Sequence, residues 1–420
     1  IVEMGNREQC MRMWQLILFR YLLLVSNVNV RGARLLAQAV FPGPPRLNMP
    51  APAPAPPQPE PPLQLPPPEH LLPSPPPTTE PAIPPESPAP VPLTLTVKQF
   101  KFAGNTAFSA EQLAEVTKPF TGRLLSFAEL LQARSAVTQL YVKEGYVTSG
   151  AYIPPQEIED GTVTIQIVEG SLEAINIRGT GHLKPNYVRD RIALAAVKPL
   201  NVRRLLEALQ LLQLNPLIEK ISAELSAGSR PGTSVLDVEV QPAQVVNAQA
   251  TLDNSGLPTV GTFRRIVELS DANLLGFGDS LSATYRNTDG SNDWDVAYTL
   301  PLNPRNGTLS VEYRKASAEV IEPPFDRLNL DSNYQQFKIG FRQPIIQTPD
   351  RELTLSLTAD LQKSQNFLLH IPYPLSLGAD DRGRIQLSTL RFSQEWSQRS
   401  EAQAFVARSA FNLGIDAFDA

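Results

Sequence analysis

The sequence predicts two small α+β domains in tandem followed by a transmembrane antiparallel β-barrel. Two observations carry most of this prediction. A strand–helix–helix–strand–strand pattern occurs twice, with Gly104 and Gly179 in corresponding places 75 residues apart. After Pro242 the helix period disappears, and apolar residues instead alternate with polar ones in short runs separated by turn residues.

The composition excludes several classes of protein. The chain has 420 residues, a net charge of −5 and no basic block, so we expect no nucleic-acid partner. Its single cysteine, Cys10, lies in a predicted targeting segment, which argues against a disulfide framework or a cysteine nucleophile. His70, His182 and His370 lack the spacing of metal ligands. The sequence therefore predicts a protein that is not an enzyme and needs no cofactor.

Residues 1–39 are predicted to be a signal peptide, since Arg7 and Arg12 precede the apolar run Trp14–Val25 and small residues follow. A membrane anchor helix is the alternative, but the run is shorter than the roughly 20 residues that a bilayer requires. Residues 40–92 hold more than half of the forty-one prolines and are predicted to be an extended linker. The strand-like pattern at Phe411–Gly414 predicts that further strands follow residue 420.

The first predicted α+β domain covers residues 93–169. Ser109 and Ser126 are predicted to cap two helices, of which the second runs from Phe127 to Lys143. Its predicted apolar face consists of Leu130, Leu131, Val137, Leu140 and Tyr141. Its predicted strands are Val97–Gly104, Tyr146–Ile153 and Thr162–Val168.

The second predicted domain covers residues 170–242 and repeats this order. Asn186 and Asn201 are predicted to start its helices. Its predicted strands are Leu172–Gly179, Ile218–Leu225 and Ser234–Val240. Two helices on one face of a three-stranded sheet form a unit close to the lower size limit for independent folding.

Residues 243–420 predict about nine strands, each near the 9–11 residues of a tilted membrane strand. Asp289-Gly290 and Asn306-Gly307 suit tight hairpin turns between them. A change of phase near Leu390 predicts a bulge. A soluble β-sandwich would alternate in the same way, so the pattern alone leaves both architectures open. The predicted strands begin near Val245, Thr262, Gly278, Asn292, Asn306, Ser332, Arg351, Gly383 and Glu401.

Three motifs resemble a known family. They are Leu252-Asp253-Asn254-Ser255-Gly256, Asn273-Leu274-Leu275-Gly276-Phe277-Gly278-Asp279 and Tyr298-Thr299-Leu300-Pro301-Leu302. In this order they resemble the first barrel strands of two-partner secretion transporters, the haemolysin and filamentous-haemagglutinin secretion/activation proteins of the Omp85 superfamily. The paired repeats resemble the two POTRA domains that precede that barrel. The loop signature Val-Arg-Gly of the family is expected only beyond this chain, and Val30-Arg31-Gly32 matches it by coincidence.

The resemblance implies a monomeric outer-membrane pore with its POTRA domains in the periplasm. Its partners would be outer-membrane lipid and a large β-helical exoprotein of the haemolysin or haemagglutinin type, which the pore exports without ATP. Two alternatives differ in class: an insertase that assembles other outer-membrane barrels, or a soluble periplasmic or surface binding protein. An insertase commonly carries more POTRA units, so two units favour secretion.

Client recognition is predicted at the exposed edge of each α+β sheet, where an extended polypeptide can add a strand. The candidate edges are Tyr146–Ile153 and Ile218–Leu225. The alternative is that the same side chains only pack beneath their own helices. The candidate client-binding residues are Tyr146, Tyr152, Ile153, Ile218, Ile221 and Leu225.

Overall fold

The structure, a computed structural model, describes residues 94–400 and 402–415. The predicted signal peptide (1–39) and proline-rich linker (40–92) lie outside these residues, as do Cys10, His70 and Val30-Arg31-Gly32. Within the described part of the chain, no helix has both the length and the apolar character needed to cross a membrane.

The first α+β unit forms around a three-stranded sheet in the order β2-β5-β4. β2 runs parallel to β5, and β4 runs antiparallel to it. A second small sheet pairs β1 with β3. The elements are β1 (Thr94–Val97), β2 (Gln99–Ala103), α1 (Ala110–Thr117), a 3-10 turn (Lys118–Phe120), β3 (Arg123–Ser126), α2 (Phe127–Lys143), β4 (Gly150–Tyr152) and β5 (Thr162–Val168).

Both predicted helix caps of this unit are confirmed. Ser109 and Ser126 each form a capping box, in which the serine side chain accepts the third backbone N–H and the side chain at that position bonds back. The predicted strand Tyr146–Ile153 is too long, because Tyr146 lies in the turn that follows α2 and donates its N–H to the Tyr141 carbonyl at 2.9 Å. The predicted apolar face is wrong at Leu131, which is 37% exposed, whereas Ala133 is fully buried.

A buried carboxylate joins the loop after β2 to helix α2. Glu169 is 5% exposed and accepts hydrogen bonds from the backbone N–H groups of Thr106 and Ala107 at 2.6 and 2.7 Å and from the Tyr141 hydroxyl at 2.9 Å. Burial by itself raises the pKa of Glu169, but these donors and the Thr106 hydroxyl hold it below its usual value. An ionised carboxylate is therefore part of the folded unit at neutral pH.

The second unit repeats the arrangement with the sheet order β6-β8-β7. Asn201 caps its second helix by accepting the Arg203 N–H at 2.9 Å, as predicted. The predicted start at Asn186 is wrong, because the first helix begins at Pro185, which needs no partner for a backbone N–H. The elements are β6 (Ser171–Arg178), α3 (Pro185–Ala193), α4 (Val202–Gln213), β7 (Ile218–Ala227) and β8 (Thr233–Pro242).

Two glycines in equivalent positions show that the two units share one fold. Gly104 and Gly179 each follow the first strand of the sheet, with φ angles of +83° and +78°. A Cβ atom would lie 2.4 Å from the Ile167 carbonyl oxygen at the first position and 2.4 Å from that of Val240 at the second. The left-handed backbone and the close approach of the neighbouring strand both require glycine here.

The two units are joined by backbone contacts around Asn201. Its side chain, besides capping α4, donates to the Glu144 carbonyl of the first unit at 3.0 Å. The N–H of Val202 donates to the Gly145 carbonyl at 2.9 Å, and that of Leu200 to the Gly170 carbonyl at 2.8 Å. These bonds fix the start of α4 against the end of α2 and set the relative orientation of the two sheets.

After residue 242 the described chain forms one antiparallel sheet of ten strands. All nine predicted strands are present, and one short strand, β16, was not predicted. Consecutive long strands are neighbours in the sheet, as expected of an up-and-down barrel wall. The strands are β9 (Val246–Asp253), β10 (Arg264–Asp271), β11 (Ser280–Asn287), β12 (Ser291–Pro301), β13 (Thr308–Glu319), β14 (Asp331–Gln347), β15 (Arg351–Leu368), β16 (Ile371–Pro372), β17 (Arg384–Arg399) and β18 (Ala404–Gly414).

Two details of the prediction are wrong. β14, β15 and β17 have 17, 18 and 16 residues, longer than predicted. On the apolar face of β15 the leucines end at Leu361 and Lys363 and Gln365 follow, so backbone pairing continues past the apolar band. The register around Leu390 is continuous, and the bulge lies between Pro344 and Ile346 instead.

The two faces of this sheet differ in chemistry. Cross-strand pairs on one face are apolar, as in Tyr298 opposite Val311, and Trp294 and Phe341 on this face are 51% and 41% exposed. On the other face Glu312 is opposite Lys338, which in turn is opposite Asp360. An exposed apolar face and a polar inner face are the arrangement of a membrane barrel rather than a soluble sandwich.

We predict that Gly179→Ala weakens the second unit by about 2–5 kcal/mol. About 1–2 kcal/mol would come from the left-handed backbone and about 1–3 kcal/mol from the contact with the Val240 carbonyl. Gly122→Ala is the matched control, since Gly122 has a φ of +74° but no atom within 4 Å of its Cβ position. Native-state hydrogen exchange of β8 and β3 amides measures both costs, and equal costs would contradict the steric argument.

Candidate functional site: the sheet edges and the joint with the barrel

The predicted recognition strands are edge strands. β4 pairs only with β5, and β7 pairs only with β8, among the described strands. Each edge lies beside a helix, α2 in the first unit and α4 in the second. The topology thus places both predicted segments where a further strand could be added.

The six candidate side chains differ in accessibility. Tyr152 is 47% exposed, whereas Ile218 and Ile221 are 4% and 1% exposed in the core of the second unit. Leu225 is half-buried against the same core. Tyr146 and Ile153 pack partly buried against the core of the first unit. Tyr152 is therefore the candidate with an open side chain, and the buried residues can contact a client through their backbone.

The motif from Asn273 to Asp279 forms the turn between β10 and β11. Asp279 is completely buried and accepts the N–H groups of Leu275 and Phe277 at 3.0 and 3.3 Å and the Tyr298 hydroxyl at 2.9 Å. Asn273 accepts the Gly278 N–H at 2.8 Å. These bonds hold the turn in one shape and tie it to β12.

This turn contacts the second α+β unit, which the sequence did not predict. The Lys184 N–H donates to the Gly276 carbonyl at 2.8 Å, and the Lys184 ammonium lies 3.1 Å from the centre of the Phe277 ring. A Cβ atom on Gly278 would lie 2.4 Å from the Tyr187 ring. The glycines of the motif therefore allow α3 to approach the barrel backbone closely.

A second contact lies one turn further along α3. The Arg191 guanidinium stacks 3.5 Å above the Tyr187 ring and donates from Nε to the Asn306 side chain at 2.9 Å. Asn306 in turn donates to Gln347 at 2.7 Å. Lys184, Tyr187 and Arg191 are spaced i, i+3 and i+7, so one face of α3 makes the joint. That spacing was visible in the sequence, but it does not by itself indicate which surface it meets.

The inner face of the sheet carries paired charges. Arg314 donates to Asp293 at 2.6 Å, and Arg286 lies 3.7 Å from the same carboxylate. Lys338 lies 3.3 Å from Glu312. Among the described residues no group of three metal-ligating side chains comes together. The arrangement provides a polar wall, to which Glu312 and Asp360 both contribute.

Two family models match this chain. Residues 95–170 match the POTRA domain of ShlB type, and residues 232–420 match the haemolysin secretion/activation protein family ShlB/FhaC/HecB. The two matches follow one another along the chain, the POTRA domain first and the secretion/activation protein after it. Residues 232–420, which include the barrel strands, are thus similar to the haemolysin secretion/activation protein family.

Curated relatives show the same similarity. The outer membrane transporter CdiB of Escherichia coli O6:K15:H31 is 29% identical over 186 residues, which is 44% of this chain and 31% of the relative. The haem/hemopexin transporter protein HuxB of Haemophilus influenzae is 24% identical over 263 residues, which is 62% of this chain and 43% of the relative. The matched segments span less than half the length of these relatives.

Two solved structures share the fold. CdiB from Escherichia coli superposes with a TM-score of 0.58 at 20% identity, covering 80% of this chain and 62% of that one. CdiB from Acinetobacter baumannii gives a TM-score of 0.51 at 18% identity, covering 78% and 63%.

We predict that Gly278→Ala costs more stability while the Tyr187 ring is present than after the ring is removed. The added Cβ would displace the ring at a cost of about 1–3 kcal/mol, whereas the strain at a φ of +78° persists in either background. A double-mutant cycle with Tyr187→Ala, read from hydrogen exchange of α3 amides, isolates the steric part. An equal cost of Gly278→Ala in both backgrounds would contradict this joint.

Proposed function

We propose that the protein is an outer-membrane transporter of two-partner secretion. Residues 93–169 and 170–242 would be its periplasmic POTRA domains and residues 243–420 a part of its barrel. It would carry a secreted exoprotein of the haemolysin or haemagglutinin type from the periplasm to the cell surface as a monomer, without ATP. The observation that carries the proposal is the joint between α3 and the Asn273–Asp279 turn, which holds the second unit and its edge strand beside a wall with an apolar outer face.

The physical steps follow from this geometry. An extended client would pair its backbone with a POTRA edge, where main-chain hydrogen bonds give affinity with little demand on sequence. The fixed joint would then present the client to the polar face of the barrel. Opposite charges are paired there, as in Arg314 with Asp293, so this face has no strong net charge at the pair. Folding of the client outside the cell would bias its movement outward, because a folded segment cannot re-enter the pore.

Secretion of a candidate exoprotein tests the proposal. Cells would carry either the full-length gene or a deletion of residues 93–242, and the exoprotein would be measured in the medium and in the periplasm. We expect export only with the POTRA pair present, and accumulation in the periplasm without it. A heat-dependent shift in gel migration would verify that the deleted protein still forms a barrel.

The same strains separate the alternatives. Unchanged export by the deletion, combined with a loss of other barrels from the outer membrane, would favour an insertase. Extraction of the full-length protein without detergent would favour a soluble binding protein. Either result would overturn the transporter proposal.

A further inference from the structure

The outward side of β7 can be identified from two hydrogen bonds. The Gly228 N–H, which follows β7, donates to the Thr233 carbonyl at 2.8 Å, so even-numbered positions of this strand point toward β8. The Ile221 N–H donates to the Gln213 side chain at 3.0 Å, so odd-numbered positions point away. Successive residues alternate in direction, and Ala223, Leu225 and Ala227 therefore direct their N–H and C=O groups outward.

Gln213, the last residue of α4, covers the beginning of this edge. Its amide nitrogen donates to the Glu219 carbonyl at 3.0 Å, and its amide oxygen accepts the Ile221 N–H. These are two of the groups that an added strand would use. One side chain thus occupies a place in the ladder that a client strand would otherwise take, a known means of protecting a sheet edge.

The edge beyond Gln213 is open. Among the described residues, no side chain accepts a hydrogen bond from the N–H groups of Ala223, Leu225 or Ala227. Leu225 is half-buried against the core beside α4, which leaves apolar surface next to the open backbone. Among the exposed side chains of β7 are two carboxylates and one ammonium, from Glu219, Glu224 and Lys220.

The edge of the first unit is closed by comparison. Of the three residues in β4, Ala151 points outward, and its N–H donates to the Thr138 hydroxyl of α2 at 3.1 Å. Past the end of β4, the Gln156 side chain bonds both backbone groups of Thr164 in β5, at 2.7 and 2.8 Å. Thr138 and Gln156 thus leave little of this edge for an added strand.

We infer that the two units are unequal docking sites: an extended client segment adds to β7 along Ala223–Ala227, and Gln213 sets where that added strand ends. The inference rests on the proposed function for the identity of the client. The occupant is an extended polypeptide with alternating apolar and polar side chains, because the helix side of this edge offers Leu225 and the other side is polar. The side chain of Tyr152 is not required for docking.

A peptide probe tests the inference on the full chain in detergent. The probe is a short fluorescent peptide of alternating valine and threonine with a lysine at each end. Binding is followed by fluorescence anisotropy and by hydrogen exchange. With the unaltered protein, we expect the probe to slow exchange at Ala223 and Leu225 and to leave Ala151 unchanged.

Removing the Gln213 side chain amide, which covers the beginning of the β7 edge, should strengthen binding of the probe. Gln213→Leu frees the Glu219 carbonyl and the Ile221 N–H, and we expect about tenfold tighter probe binding and new probe-dependent protection at Ile221. A merely structural role of Gln213 would instead leave the affinity unchanged or reduce it. Gln210→Leu, on the same helix, is the matched control and should leave the affinity unchanged.

A second variant tests the open part of the β7 edge independently of Gln213. Leu225→Pro removes an outward N–H without breaking the ladder to β8, and we expect about tenfold weaker binding with normal exchange in β8. Probe protection at Ala151, unchanged affinity in both variants, or a dimer through β7 in sedimentation would overturn the inference. A failure of secretion with probe binding intact would overturn the proposed function alone.

Discussion

The need to pair every backbone N–H and C=O group governs this chain from β1 to β18. In the barrel wall the neighbouring strand satisfies it, and the strands keep pairing past the apolar band. At the edges of the two α+β sheets no neighbour remains, and side chains such as Thr138 and Gln213 take its place. Where these side chains stop, along Ala223–Ala227, the molecule has backbone groups free to receive another chain.

The joint between α3 and the barrel gives that open edge a fixed position. A buried carboxylate, Asp279, shapes the turn that α3 contacts, and glycines at 276 and 278 let the helix come close. Asn201 orients the first unit against the second in a similar way, through hydrogen bonds to backbone. Both connections require glycine. A larger side chain at Gly276 or Gly278 would collide at the barrel joint, and one at Gly145 would collide with Asn201.

The sequence predicted the architecture because its signals are local: alternation, caps at Ser109 and Ser126, and turn dipeptides. The joint escaped prediction because it pairs residues far apart in sequence, such as Lys184 with Phe277. Gln213 lies only eight residues from Ile221, but no sequence pattern marks a hydrogen bond from a side chain to a strand edge. The sequence singled out the Asn273–Asp279 motif, but nothing local to it shows what it contacts. The start at Asn186 failed because proline at 185 is already suited to the first helical position.

Site-specific photocrosslinking during secretion tests the central claim most directly. A photoreactive amino acid would replace Glu224 on β7 or, as the control, Arg178 at the end of β6. The account predicts that the exoprotein in transit is captured at Glu224 and much less at Arg178. Equal capture at both positions, or capture of other outer-membrane barrels in place of the exoprotein, would contradict it.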